Sequence, residues 1–256
     1  MIRFFRSLRQ GLLRDNRFTK YLLYAIGEIV LVVAGILIAL QINNWNEQHK
    51  LDTIETELLH AFVKSLESDL SDIDANIVTH QRGLAACDSL ITLLETSSPV
   101  VIDDDSLAML FSDAFFITRF VHSTSAFESL KSRGVNIISN DELQKKIVNV
   151  YDSHFRFFLE SEQDYVDNFF FGVNKIFPTR FEQGLYYNLH TPGLDGYLRP
   201  VKFKSLNTDQ EFLYYLKTFR NWTKIMIDYQ YAMLRDKVVE LIRLIDREIA
   251  LQENND

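Results

Sequence analysis

A single cysteine, Cys87, rules out an intramolecular disulfide framework and any multi-cysteine zinc or iron–sulfur centre. Burial of apolar surface must therefore hold the chain together. Only 4 Pro and 9 Gly punctuate 256 residues, too few for the many turns of a β-sandwich or barrel. Also missing are the GxSxG, HExxH, CxxC, Walker A and GxGxxG spacings of common catalytic and nucleotide sites. What is present, 47% hydrophobic and 24% charged residues, describes a foldable chain whose composition suits long helices.

The formal net charge of −8 averages two unlike parts. Residues 1–20 hold Arg3, Arg6, Arg9, Arg14, Arg17 and Lys20 against Asp15, a net of +5, and the remaining 236 residues carry −13. That acidic body repels phosphates, so nucleic acid is not an expected partner. After the basic arm comes LLYAIGEIVLVVAGILIAL, Leu22 to Leu40, with one charge in nineteen residues. At 1.5 Å per residue, Leu22 to Ile42 spans roughly 31 Å, about one hydrocarbon core. Tyr21, Tyr24 and Trp45 at the margins are residues that membrane interfaces select. Small residues at a signal-peptidase site are lacking, because Leu37-Ile38-Ala39 and Leu40-Gln41-Ile42 do not supply them, and no lipoprotein cysteine follows. An uncleaved signal anchor is expected, with a lipid bilayer as partner. The positive-inside rule then puts the arm in the cytoplasm and residues after about Asn43 outside.

FTKYLLYAIGEIVLVVAGILIALQINNWNE, Phe18 to Glu47, resembles the opening of the bacterial family of unknown function numbered 6090. SAFESLKSRGVNIISNDELQKKIVNVYD, Ser125 to Asp152, is the second stretch that resembles it. The two cover a little over a fifth of the chain, in the same order and spacing. The resemblance implies a single-pass membrane protein with a helical extramembrane region, and it carries no catalytic residue.

Glu28 lies inside the apolar stretch, roughly 12 Å past Lys20, where an ionised carboxylate is costly. On a helical wheel Glu28, Leu31, Gly35, Ala39 and Ile42 share one stripe, and Gly35 and Ala39 form a small-xxx-small pair that lets two backbones approach. This stripe is a candidate helix–helix interface for a homo- or hetero-oligomer. The alternative is that Glu28 snorkels to the cytoplasmic headgroups.

From Trp45 onward Leu51, Ile54, Leu58, Phe62, Leu66, Leu70, Ile73, Ile77, His80, Leu84, Cys87, Ile91 and Leu94 recur at steps of three and four, which predicts one amphipathic helix ending at Ser97-Ser98-Pro99. The seam changes pitch, which suits a bundle better than a continuous coiled coil. His80 and Cys87 fall on that seam and read as packed side chains. Asp103-Asp104-Asp105 reads as a helix start rather than a cation site. Three capping boxes, Ser125/Glu128, Ser139/Glu142 and Thr208/Glu211, predict further helix starts. Gly134 is expected as a left-handed cap with Val135 to Ile138 as an extended link. A second long helix is expected from Asp141 to about Lys175, and a helix or helix pair from Asp209 to near Gln252.

Phe177 to Ser205 breaks every periodicity with Pro178, Gly184, Pro192, Gly193, Gly196 and Pro200. Its Phe181, Tyr186, Tyr187, His190, Tyr197 and Arg199 make it the candidate binding surface, or else a cap closing the bundle end.

The expected architecture is all-α: a basic arm over residues 1–20, a membrane helix over 21–43, a helical bundle over 44–252 and a short tail over 253–256. No metal, cofactor or catalytic residue is assigned, and a non-enzymatic scaffold, accessory subunit or ligand-sensing module of the cell envelope is the favoured function, with an unknown envelope protein or ligand as partner. The rival is an envelope enzyme acting on lipid, glycan or peptide, built on His190, Asp195 and bundle carboxylates.

Overall fold

The computed structural model describes residues 18–96, 102–183 and 198–254, and every regular element among them is helical. The chain divides after Glu55 into two compact units. The helix α1, Phe18–Glu95, supplies the described residues of the first unit and continues into the second. Within it an 18-residue window has a mean hydropathy of 2.5 and no buried residue, so length and composition suffice to cross a membrane. Arg3, Arg6, Arg9, Arg14 and Arg17 lie outside the described residues.

In the second unit α1 is followed by α2 (Asp104–Ala114), α3 (Ser125–Arg133), α4 (Asp141–Asn149), α5 (Arg156–Phe171), α6 (Phe203–Leu206), α7 (Gln210–Ile225) and α8 (Ala232–Glu253). The seam of α1 is buried at Leu58, Phe62, Leu66, Ile73, His80, Cys87 and Leu94, joined by Leu59 and Leu90. Asp69 and Asn76 are buried on the same helix, which an apolar periodicity does not anticipate. Gly83 is where a neighbour crosses closely: a Cβ there would stand 3.2 Å from the Asp113 carbonyl of α2.

The helix starts differ by one residue from the capping boxes. Asn140, not Ser139, caps α4 by accepting from the Glu142 and Leu143 amides, and Asp209, not Thr208, caps α7 by accepting from Phe212 N–H. Thr124 occupies the cap of α3 and makes no side-chain cap bond, so Ser125 is already helical. In each case a one-residue shift of cap keeps the apolar face inward, and packing decides between neighbouring candidates. Asp103 does cap α2, accepting from Ser106 N–H at 2.9 Å. Gly134 has φ +99° with ψ 131°, a positive-φ turn but not the left-handed helical well, and Val135–Ile137 is a 3₁₀ turn rather than an extended link.

The two later long helices are not uniform. A π-helical segment, Val150–Phe155, joins α4 to α5; another, Gly172–Ile176, follows α5 and leads into the 3₁₀ turn Phe177–Thr179; a third, Met226–Tyr231, joins α7 to α8. Each carries or abuts adjacent buried residues, Val150/Tyr151, Ile176/Phe177 and Met226/Ile227. Widening the turn lets both members of such a pair face inward without ending the helix.

Candidate functional site

Three places combine unusual chemistry with defined geometry. The first is the stem of the aromatic loop. Phe181 and Pro200 form an isolated antiparallel bridge, Glu182 N–H donates to the Arg199 carbonyl at 2.9 Å, and Val201 N–H donates to the Arg180 carbonyl at 2.9 Å. Arg180, which the sequence did not single out, grips Asp209 through two nitrogens at 2.8 and 3.0 Å and reaches Glu211 at 2.6 Å. The guanidinium holds the Asp209 carboxyl below its usual range, so one side chain caps α7 and anchors the stem. On the other limb Arg199 pairs with Asp105 at 2.5 Å and Leu198 N–H donates to the buried Ser112 hydroxyl at 2.7 Å.

Phe181 does not offer a face to solvent. Its ring lies 5.1 Å from both Phe111 and Phe177 and 5.9 Å from Phe212. Behind it Phe115 is enclosed by Phe177 at 4.7 Å, Phe219 at 5.4 Å and Tyr215 at 5.8 Å. Tyr215 approaches Gly172 so closely that a Cβ there would fall 2.0 Å from its hydroxyl oxygen. Phe181 and Arg199 thus close the bundle end, while Tyr186, Tyr187, His190 and Tyr197, like Asp195, lie outside the described residues.

The second place is a polar layer beneath the segment from Phe116 to Thr124, which has no regular structure. Asp69, Asp72, Asn76 and His80 follow one another along α1 at steps of three and four. Ser123 N–H donates to Asp69 Oδ1 at 2.7 Å, and Val121 N–H to Asp72 Oδ2 at 3.1 Å. From α5, Glu162 Oε1 accepts from Phe120 N–H at 2.8 Å and from the Tyr231 hydroxyl at 3.1 Å. Three carboxyl groups therefore terminate the amides of a segment that has no sheet or helix partner. Burial raises the Glu162 carboxyl above its usual value and pushes Asp69 up to about 6.

His80, fully buried, sits between the rings of Tyr165 at 5.4 Å and Tyr231 at 5.5 Å, with no hydrogen bond to either ring nitrogen. Burial pushes it down to about 4, so at neutral pH it is an uncharged packed ring. Cys87 is equally inert: buried, it donates to the Ala114 carbonyl at 3.4 Å, and burial pushes its thiol up to about 12.

The third place is the apolar part of α1. Glu28, Leu31, Gly35, Ala39 and Ile42 are all exposed, Leu31 at 75%, and a Cβ on Gly35 would meet no atom within 4 Å. Lys20 is helical, Tyr21 and Tyr24 are half-buried, and exposed Trp45 stacks on His49 at 6.0 Å.

The family described as Family of unknown function (DUF6090) matches residues 28–191, well over half of the chain. The chain belongs to this family. No curated protein and no solved structure matches it. The DUF6090 span begins at Glu28 and takes in Asp69, Asp72, His80, the segment above them and Glu162. The partners that complete the layer from α7 and beyond, Thr223 and Tyr231, lie after it.

Beyond these places, an open groove of about 590 Å³ is lined by Leu94, Glu95, Thr96, Gln210, Tyr214 and Lys217, with Lys217 paired to Glu95. Among the described residues no three His, Cys, Asp or Glu side chains converge as a metal site.

Proposed function

We propose that this DUF6090 member is a single-pass membrane protein whose helical second unit faces outward from the cytoplasmic membrane and works by contact rather than by catalysis. It serves as a scaffold, accessory subunit or ligand-sensing module of the cell envelope. The observation that carries this reading is the apolar window of α1, with mean hydropathy 2.5 and none of its residues buried. A row of large apolar side chains facing water would drive aggregation, and lipid is the solvent that suits it. The six basic residues before it favour a cytoplasmic N-terminus.

A role by contact draws support from how the second unit uses its polar groups. Glu162 is occupied by backbone and tyrosine donors, and Arg180 and Arg199 are held in ion pairs. The bundle end near the loop stem is filled with aromatic rings rather than hollow. The stripe through Glu28 and Gly35 would join the protein to a partner helix in the bilayer, where Glu28 would gain a hydrogen-bond partner.

Fusion of the C-terminus to a reporter enzyme active only after export, and separately to a fluorescent protein that matures only in the cytoplasm, tests the layout. Activity with the first and darkness with the second is expected; the reverse pattern, or recovery of the intact chain without detergent, refutes it. Within the membrane, Gly35→Leu is expected to lower self- or partner association in a two-hybrid assay.

A further inference from the structure

We propose that the segment Phe116–Thr124 is a proton-operated latch, closed while the buried carboxyl of Asp69 holds a proton and loosened when that proton leaves. The latch lies wholly within the second unit and does not depend on the membrane reading.

The geometry begins with Asp69, whose two oxygens have unequal surroundings. Asp69 is 1% exposed; Oδ1 accepts the Ser123 amide, and Oδ2 is buried with no hydrogen-bond partner. An ionised carboxylate needs hydrogen-bond donors at both oxygens, so a bare buried Oδ2 is costly. A proton on Oδ2 removes the charge and leaves the Ser123 bond intact. Opening the segment offers the other remedy, because it returns Asp69 to water. Closure and protonation are therefore linked.

The groups facing Asp69 reinforce that sign. Along α1, Asp72 adds a like charge while itself holding the Val121 amide and the Asn76 side chain. From the first π segment, the hydroxyl of Tyr151 is buried without a partner in the field of Asp69 and cannot ionise there. Glu162 carries the neighbouring Phe120 amide, lies in the field of Asp72 and of Arg119, and is raised in the same direction by its burial. Two groups oppose them: the Ser123 amide, whose bond to Oδ1 favours the ionised carboxyl by less than burial disfavours it, and a histidine. His122, on the segment itself, lies between Phe120 at 5.7 Å and Phe155 at 4.8 Å, and burial holds it below the usual imidazole value. Its ring contacts place His80 against Tyr165 and Tyr231, on helices rather than on the segment.

Closed, Asp69 titrates at about 6; open, it regains the ordinary value of 3.8. Because the closed form binds the proton more tightly, closure is favoured by acid and lost as pH rises through the closed value. Between pH 5 and 7 the Asp69 contribution raises the opening constant about tenfold. His122 contributes with the opposite sign, so the decisive quantity is a ratio between two proteins that both retain it.

Amide hydrogen exchange at Phe120, Val121 and Ser123, corrected for intrinsic rates, is measured on the full chain in detergent micelles for the wild type and Asp69→Asn. The wild-type to variant ratio of opening constants is expected to rise about tenfold from pH 5 to 7; a ratio that does not change with pH overturns the latch. Should Asp69→Asn fail to fold, the carboxyl carbon of Asp69 is titrated by NMR in the wild type. A midpoint near 6 is expected, and one near 3.8 overturns the proposal.

Discussion

Two halves of one helix obey opposite rules. Between Leu22 and Ile42, α1 is apolar on nearly every side and its described residues are exposed or at most half-buried; between Leu58 and Leu94 it is rich in acids, and its inward side chains are almost wholly buried. Apolarity and burial are thus separate properties of a sequence. What separates the halves is the spacing: a stripe at steps of three and four presents one face to a protein core, whereas the half that is apolar all round presents no single face and is long and apolar enough to cross a membrane.

Truncating one apolar side chain in each environment separates the two halves most strongly. Phe115→Ala, in the centre of the aromatic end, is expected to lower the unfolding free energy of the second unit by about 3–5 kcal/mol. Leu31→Ala is expected to leave it within about 0.5 kcal/mol, both read by denaturant titration in micelles. An equal loss at the two positions would mean that the exposed half also packs in a core.

A slightly smaller effect separates the polar groups of the buried half. His80 titrates at about 4 folded against 6.5 free, so its contribution to stability is complete above 6.5 and is lost as pH falls towards 4. Asp69 behaves oppositely: raised from 3.8 to about 6, its contribution is complete below 3.8 and is lost as pH rises through 6. Each amounts to about 3 kcal/mol, so the two nearly cancel between pH 4 and 6.5. Stability of His80→Phe is expected to fall with pH across that window and that of Asp69→Asn to rise, as thermal melts at stepped pH would record. Parallel slopes in both variants would contradict the assignment.

Gly172→Ala follows, with an expected loss of roughly 1–3 kcal/mol because the added methyl displaces the Tyr215 ring. Near-UV circular dichroism should report the loosened tyrosine. The smallest effect is expected from Lys217→Ala, which removes a half-exposed ion pair with Glu95 and should cost about 1 kcal/mol or less, diminishing in high salt.

Much of the helical layout was legible in the sequence because repeated apolar steps add up over many turns. The seam from Leu58 to Leu94, the acidic start of α2 and the break after Arg133 each rest on several residues pointing the same way. Caps were displaced by one position because Ser139 and Asn140, or Thr208 and Asp209, are chemically able neighbours, and only packing chooses between them. The π segments were invisible for a related reason: one extra residue per turn leaves composition untouched. Least legible was the polar layer. Asp69 and Asp72 share α1 and Glu162 lies on α5, and the amides they accept stand 54, 49 and 42 positions away in the chain. Their partners are backbone amides, which a sequence displays everywhere and therefore nowhere. Arg180 and Arg199 had the same difficulty, since their acids lie 29 and 94 positions away.

The bridge between Phe181 and Pro200 has a use beyond holding the bundle end. Arg180 fastens one limb to Asp209 and Arg199 fastens the other to Asp105, so both ends of the intervening stretch are clasped. Closing a longer stretch costs little once its ends are pinned, about 0.6 kcal/mol per doubling. The clasp therefore ties each limb to a different helix through its own ion pair, so that loosening one limb leaves the other fastened.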